Sequence, residues 1–326
     1  VLQRLAFRTE SFPNALRDLL RLSAAGSADG GGRAAEVVEN LFHLHLSGTA
    51  APSRDRYAVL DEALEDDDPR MRATALRALK GGLEVDNFMR SSGFEDLGQA
   101  PPAVDWSPTT QAESLEHIRS ALTRLTTVRK AGGDLAERAD RIVASGLRRL
   151  LWPELIDAVR AYIEEARRHR GFWSQGAKAI GDWLYFDRSA RPGPFGEAVR
   201  ELYAALLPTD PVERAVLFSQ FWPADLRDPD LTYRAAAGVQ DYEYSARRAA
   251  ALAPPLAADP TLLSRVIQRM ATTELNAPTP FTEALAPLVE DPEAVFAEAL
   301  DALGEESETG LSFILSLLRS LDRAHP

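Results

Sequence analysis

The sequence predicts an all-α protein, an irregular α-solenoid of antiparallel helical hairpins of the HEAT or TPR kind. Three observations predict it. The helix formers Ala, Leu, Arg and Glu dominate the 326 residues, and β-branched residues are sparse. Apolar residues recur at helical spacing nearly everywhere, and no stretch alternates as a half-buried strand would. Acidic Asp-Pro turns recur between apolar stripes, as if one hairpin unit had been copied.

The elements follow in order. A first helix opens near Pro13 and carries Leu16, Leu19, Leu20 and Leu22 to about Gly26. Proline suits the first turn because its missing N–H has no partner there anyway. The stretch from Gly26 to Gly32 reads as a flexible linker. A second helix spans about Ala34 to Leu46, striped by Val37, Val38, Leu41 and Phe42 and stopped by Gly48. A third runs from about Ser53 to Glu65 through Tyr57, Leu60 and Leu64. A fourth opens at Asp68-Pro69, an acidic N-cap before a proline, and the Gly81-Gly82 pair weakens its end.

Residues 85–109 form a long loop rich in Gly and Pro. Its Phe88, Phe94, Leu97, Val104 and Trp106 are too apolar for a free linker, so it is expected to pack across the helices. Further helices are expected at about 110–131, 134–150, 153–170, 174–186, 195–207, 211–221, 240–252, 260–272, 282–290, 292–303 and 309–324. The chain thus reads as two sections: N-terminal hairpins over 1–109, and a continuing array over 110–326.

Three segments share a plan. Leu60 to Leu64 leads to Asp68-Pro69 and then to Ala75-Leu76 and Ala78-Leu79. Leu285 to Leu288 leads to Asp291-Pro292 and then to Ala299-Leu300 and Ala302-Leu303. A weaker copy runs from Leu252 through Asp259-Pro260 to Leu263. A single hairpin cannot bury its own stripe, so such units stack. Arg70 and Arg72 stand where HEAT-type repeats carry basic residues at the start of the second helix.

Composition narrows the function. There is no cysteine, so thiol nucleophiles, disulfides and thiolate zinc sites are excluded. No apolar run approaches the length of a membrane helix, and a cytoplasmic location is expected. The net charge of −12 disfavours nucleic acid and anionic lipid. The charge is uneven, however. Residues 119–200 hold 16 Lys and Arg against 10 Asp and Glu, a net of +6, while residues 271–326 hold 2 against 11, a net of −9. This reads either as two solvated faces or as a partner surface in the middle of the array.

No phosphate loop, dinucleotide fingerprint or nucleophile elbow is present. His43 and His45, two residues apart, face different ways on a helix and cannot share a metal. His117 and His169 are expected on the surface. The acidic run Glu65 to Asp68 sits at a helix–helix turn and is explained by capping. An aromatic-rich stretch, Phe172, Trp173, Trp183, Tyr185 and Phe186, adjoins basic residues. Core packing explains most of it, and Trp beside Arg also suits a protein-binding patch. The expected patch is Arg160, Arg167, Arg168, Arg170 and Trp173.

One region resembles a known family. It comprises Leu41-Phe42, the segment Leu46 to Pro52, Arg54, Arg56 and Val59 to Leu64. It continues through Phe88, Arg90, Gly93, Glu95, Gly98, Pro101 and the Asp105-Trp106-Ser107-Pro108-Thr109 turn. Together they are similar to part of the helical-repeat region of bacterial STAND-type NTPases, over about residues 10–130. The resemblance implies a domain that senses a ligand, often a foreign protein, beside a P-loop ATPase core in antiviral defence. The core's motifs are missing here, and the opening Val1-Leu2-Gln3-Arg4-Leu5 reads as a domain cut from a longer chain. No catalysis, cofactor or metal is expected of this chain; the partners are a protein ligand and the rest of a larger polypeptide. A stand-alone helical adaptor and an α-helical enzyme using carboxylates are the alternatives.

Overall fold

The computed structural model describes residues 1–26, 32–85, 104–170, 172–187, 193–231, 243–304 and 308–325, with only the backbone of 169 and 170. Among these residues there are sixteen α-helices and no strand, so the chain is all-α. It forms two compact units, Val1–His169 and Arg170–Pro326. Residues 27–31 of the expected linker, and Phe88, Phe94 and Leu97 of the expected packed loop, lie outside the described residues.

The first unit holds α1 (Leu2–Leu5), α2 (Phe12–Ala25), α3 (Arg33–Asn40), α4 (Ser53–Leu64), α5 (Pro69–Gly82), α6 (Gln111–Ala131), α7 (Gly133–Leu150) and α8 (Ile156–Arg170). The pairs α2–α3, α4–α5 and α6–α7 pack as successive helices. α2, α4 and α6 touch in one row, and α3, α5 and α7 touch in a second. Leu16, Leu20, Val38, Leu60, Leu76, Leu79, Leu122 and Val143 are fully or almost fully buried between the rows. They share helix faces because they recur at i, i+3 and i+4.

The second unit holds α9 (Ser174–Phe186), α10 (Pro194–Leu206), α11 (Pro211–Gln220), α12 (Tyr244–Ala257), α13 (Pro260–Ala271), α14 (Thr279–Leu285), α15 (Pro292–Leu303) and α16 (Leu311–Ala324). α9 packs on α10. α11, α13 and α15 touch in one row and α12, α14 and α16 in another. Phe218, Leu256, Ile267, Met270, Phe281 and Phe313 fill the space between.

Four helices start on the same device. Asp68, Asp210, Asp259 and Asp291 precede proline, and each carboxylate accepts a backbone N–H of the first turn. That N–H would otherwise lack a partner. The sequence reading missed the Asp210 copy as a repeat. Two copies carry a further latch: Arg72 donates to the Asp66 carbonyl (2.9 Å) and Arg214 to the Pro208 carbonyl (2.6 Å). In each, the arginine four residues after the capping Asp reaches back to the carbonyl two residues before it.

Some expected boundaries move for physical reasons. α3 ends at Asn40 instead of Leu46, and the chain beyond it turns away through Leu46 and Gly48, which take positive φ (54° and 75°). The fully buried Arg56 then donates to the Leu41 and His43 carbonyls (2.9 and 3.3 Å) and to Ala51 (2.8 Å). Its guanidinium also lies 5.0 Å from the Trp106 ring centre. The end of the long loop is held here too: the Trp106 N–H donates to the Thr49 carbonyl (2.8 Å), and the Asp105 carboxylate accepts from the Gly48 N–H (2.9 Å). α14 tightens into a 3-10 turn at Ala286–Leu288, where Pro287 has no N–H to continue the α-helix. Gly81 and Gly82, read as weak points, let helices touch. A Cβ at Gly81 would lie 2.2 Å from the Glu39 carbonyl oxygen, and one at Gly82 would lie 2.5 Å from the Tyr57 hydroxyl.

Candidate ligand-binding groove

The residues of the α3–α5–α7 row border a groove of about 480 Å³ in the first unit. Its rim is basic. α5 supplies Arg70, Arg77 and Lys80, and α7 supplies Arg138 and Arg141. Helical geometry explains the alignment. Residues seven apart return to the same face after two turns, and residues three apart are neighbours. Ten residues separate Arg70 from Lys80, so these cations are spread along roughly 15 Å of helix axis. The floor is aliphatic, with Ala24, Ala35, Ala73, Leu76 and Ile142.

Among the described residues no carboxylate lines the groove. One approaches from α3: Glu39 accepts from Arg77 and from Lys80, both at 2.8 Å. Burial alone would raise the Glu39 pKa; the two cationic hydrogen bonds outweigh it and hold the carboxyl below its ordinary value. Arg70, Arg138 and Arg141 are exposed and make no ion pair among the described residues. The groove therefore carries three cations beyond the compensated pair, in a chain whose net charge is −12.

The expected patch is not assembled in this way. Arg160 pairs with Asp157 (2.9 Å) and Arg168 with the buried Glu165, both on their own helix α8. Arg167 is half-buried. The side chain of Arg170 lies outside the described residues. Trp173 belongs to the second unit and is only 4% exposed, so it is not an exposed anchor. Its indole lies over Gly176, where a Cβ would come within 2.3 Å of the ring. Trp183 and Tyr185 of the aromatic stretch are likewise buried, while Phe186 is exposed. Trp183 meets Phe195 edge-on at 5.6 Å, and Arg227 covers both Tyr185 and Phe186.

His117 also departs from expectation, being 1% exposed rather than on the surface. A carbonyl can only accept, so Nε2–H donates to Phe42 (2.9 Å), and Nδ1 therefore accepts from the Ser53 hydroxyl (2.6 Å). Burial and then the nearby Arg56 lower its pKa to about 4. The ring is neutral and pins α6 to α4 and to the segment after α3. A second buried lock joins α6, α7 and α8. Asp140 pairs with Arg129 (2.9 Å) and accepts from Tyr162 (2.9 Å), while Arg129 also donates to the Ala166 carbonyl (3.0 Å). Among the described residues no three His, Asp or Glu side chains converge as a metal site. No helix of the described residues is long and apolar enough to cross a membrane.

Of the basic residues of the groove, sequence reasoning singled out only Arg70; Arg138 and Arg141 entered only as part of the basic middle region. The available signal was cations at i, i+7 and i+10 on α5 and at i and i+3 on α7, which is meaningful only once those helices are known to be neighbours. No protein-family model matches the chain, and no curated protein is similar to it.

Proposed function

We propose that this chain is a ligand-sensing, protein-binding domain of a larger STAND-type signalling NTPase, working in the bacterial cytoplasm against phage. In this reading its helices form an irregular HEAT-like solenoid, and catalysis resides elsewhere in the polypeptide. The observation that carries the binding role is the row order. Second helices of successive hairpins lie side by side, and their shared surface bears the basic groove of α5 and α7. Stacked hairpins expose such a surface because each buries its stripe against its neighbours and leaves one face to solvent. The repeated Asp-Pro starts and the two Arg72 and Arg214 latches support a common hairpin ancestry. The family assignment rests on the resemblance over about residues 10–130.

Three measurements test it. The reading frame upstream of the Val1 codon is expected to encode a P-loop with its lysine; a start codon close by overturns the NTPase assignment. In the full-length protein, deletion of residues 1–326 is expected to abolish protection against phage while ATP binding persists. Protection that survives the deletion overturns the sensing role. Solution scattering tests the solenoid: a radius of gyration at the compact-globule value of about 20 Å counts against it.

A further inference from the structure

We infer that the groove between α5 and α7 binds an acidic, partly apolar protein segment. The inference rests on the protein-binding reading above and adds the site and the chemistry of the ligand.

The chemistry follows from three features. First, the rim is cationic on both walls, with Arg70, Arg77 and Lys80 on α5 and Arg138 and Arg141 on α7, and among the described residues no lining residue is acidic. Glu39 engages Arg77 and Lys80, which leaves Arg70, Arg138 and Arg141 to attract an anion. Arginine is suited to this because its planar fork takes a carboxylate by two parallel hydrogen bonds. Second, the α5 cations are strung along roughly 15 Å of axis. A single phosphate needs donors converging on one point, whereas spaced cations match carboxylates one or two helical turns apart. Third, the floor is aliphatic and has no aromatic ring among its lining residues. It offers no stacking platform for a base, which is how proteins hold single-stranded nucleic acid. It does suit Leu- or Ala-type side chains on the inner face of an amphipathic acidic segment. The overall charge of −12 makes the groove a local exception, so its attraction for an anion acts only at close approach, within about 10 Å at ordinary salt.

The test uses residues 1–326 and a fluorescein-labelled amphipathic peptide of about 14 residues, with Glu at one-turn spacing and Leu between, followed by anisotropy. The controls are the same peptide with Gln for Glu, a single-stranded oligonucleotide of similar length, and pyrophosphate. The Glu peptide is expected to bind, and to weaken about tenfold or more for the Gln peptide and between about 50 and about 300 mM salt. The double variant Arg138→Glu/Arg141→Glu is expected to weaken it at least about tenfold. Both side chains are exposed and unpaired, so its melting temperature is expected to stay unchanged. The milder Arg138→Gln/Arg141→Gln serves if the charge reversal disturbs folding. Equal binding by the variants, or no binding of the Glu peptide, overturns the inference. Tighter binding of the oligonucleotide or of pyrophosphate, lost in the same variants, also overturns it and reassigns the groove. The double variant placed in the full-length protein separates the two readings. Protection retained there sinks the groove while the sensing role stands, whereas protection retained after deletion of 1–326 sinks the sensing role itself.

Discussion

The two units carry comparable grooves that differ in what their charges do. The α11–α13–α15 row of the second unit borders a groove of about 970 Å³, twice the size of the 480 Å³ groove on α3–α5–α7. Its cations are satisfied within the wall: Arg269 donates to Glu213 (2.9 Å), and Arg265 pairs with Asp210. Gln268 and Ser264 both donate to Glu298. In the smaller groove Arg70, Arg138 and Arg141 have no such partners among the described residues. Volume alone therefore does not mark a binding surface. A closed set of ion pairs presents a neutral wall, whereas uncompensated cations keep a field for a ligand to answer.

The largest expected way to break the comparison is to wedge the smaller groove open. Gly81→Ala would place a methyl group 2.2 Å from the Glu39 carbonyl oxygen, and the obstacle is backbone, which has no rotamer to escape by. α3 must move away from α5, taking Glu39 from Arg77 and Lys80. The expected loss is about 3 kcal/mol of stability, at the upper end for overpacking, read as a fall in the urea midpoint. A midpoint unchanged from wild type would show that the contact is soft. The second unit has its own close approach at Gly310, where a Cβ would run into the Ala271 carbonyl, whereas the same substitution at the exposed Gly304 is expected to act only through its positive φ of 73°.

Acid separates the units next. His117 has a folded pKa of about 4 against about 6.5 when unfolded. Above about pH 6.5 both states are neutral and its contribution is intact. As pH falls from there towards 4, the unfolded chain takes a proton that the folded ring refuses, and stability drops. By pH 5 the loss is about 2 kcal/mol. Burial also lowers the pKa of His43, which adds in the same direction. The second unit has no buried histidine among its described residues. Amides of α4 and α6 are thus expected to gain exchange between pH 7 and pH 5, after correction for intrinsic rates, while those of α13 and α15 hold. Equal gains in both units would contradict this account. His117→Gln, which keeps a polar side chain but cannot titrate, is expected to flatten the pH dependence.

What the sequence made legible follows the range of the forces involved. Helix starts at Asp68-Pro69, Pro260 and Pro292 were readable because caps and prolines act within one turn. The end of α3 was not, because the groups that take its freed carbonyls sit on Arg56, up to 15 residues along the chain. His117 looked like a surface residue on a polar helix, yet its partner is a carbonyl 75 residues away. Trp173 looked like an anchor because its arginine neighbours are adjacent in sequence; its burial over Gly176 is a packing fact that no spacing encodes. The groove lay beyond reach for the same reason. Arg70 and Arg138 are joined only by the row order of helices, which stripes and caps do not dictate.

Caps give a smaller contrast. Asp68→Ala removes one N-cap, with an expected cost of about 1 kcal/mol. Asp210→Ala removes both a cap and the partner of Arg265, and is expected to cost more than its counterpart in thermal unfolding. Equal shifts would mean that the Arg265 pair contributes nothing, as many exposed pairs do.

The smallest expected change in stability is also the sharpest test of the charge argument. Glu213→Gln with Glu298→Gln and Asp301→Asn leaves the shape of the larger groove nearly intact and removes the acids that line it. These ion pairs are partly exposed, so stability is expected to change by less than about 1 kcal/mol. Arg265 and Arg269 are then left with Asp210 as the main counter-charge, and the wall turns cationic as it is in the first unit. If compensation is what distinguishes the two grooves, the acidic amphipathic peptide is expected to gain a second, weaker site in this variant. That site should survive Arg138→Glu/Arg141→Glu and vanish with Arg265→Gln/Arg269→Gln. If no second site appears, cationic charge along a helical row is insufficient. The bulkier Leu76 and Ile142 of the first floor would then be the feature that makes it a receptor, since the larger groove presents Val212 and the small Ala294, Ala297 and Ala302 beside Gln268 and Thr272.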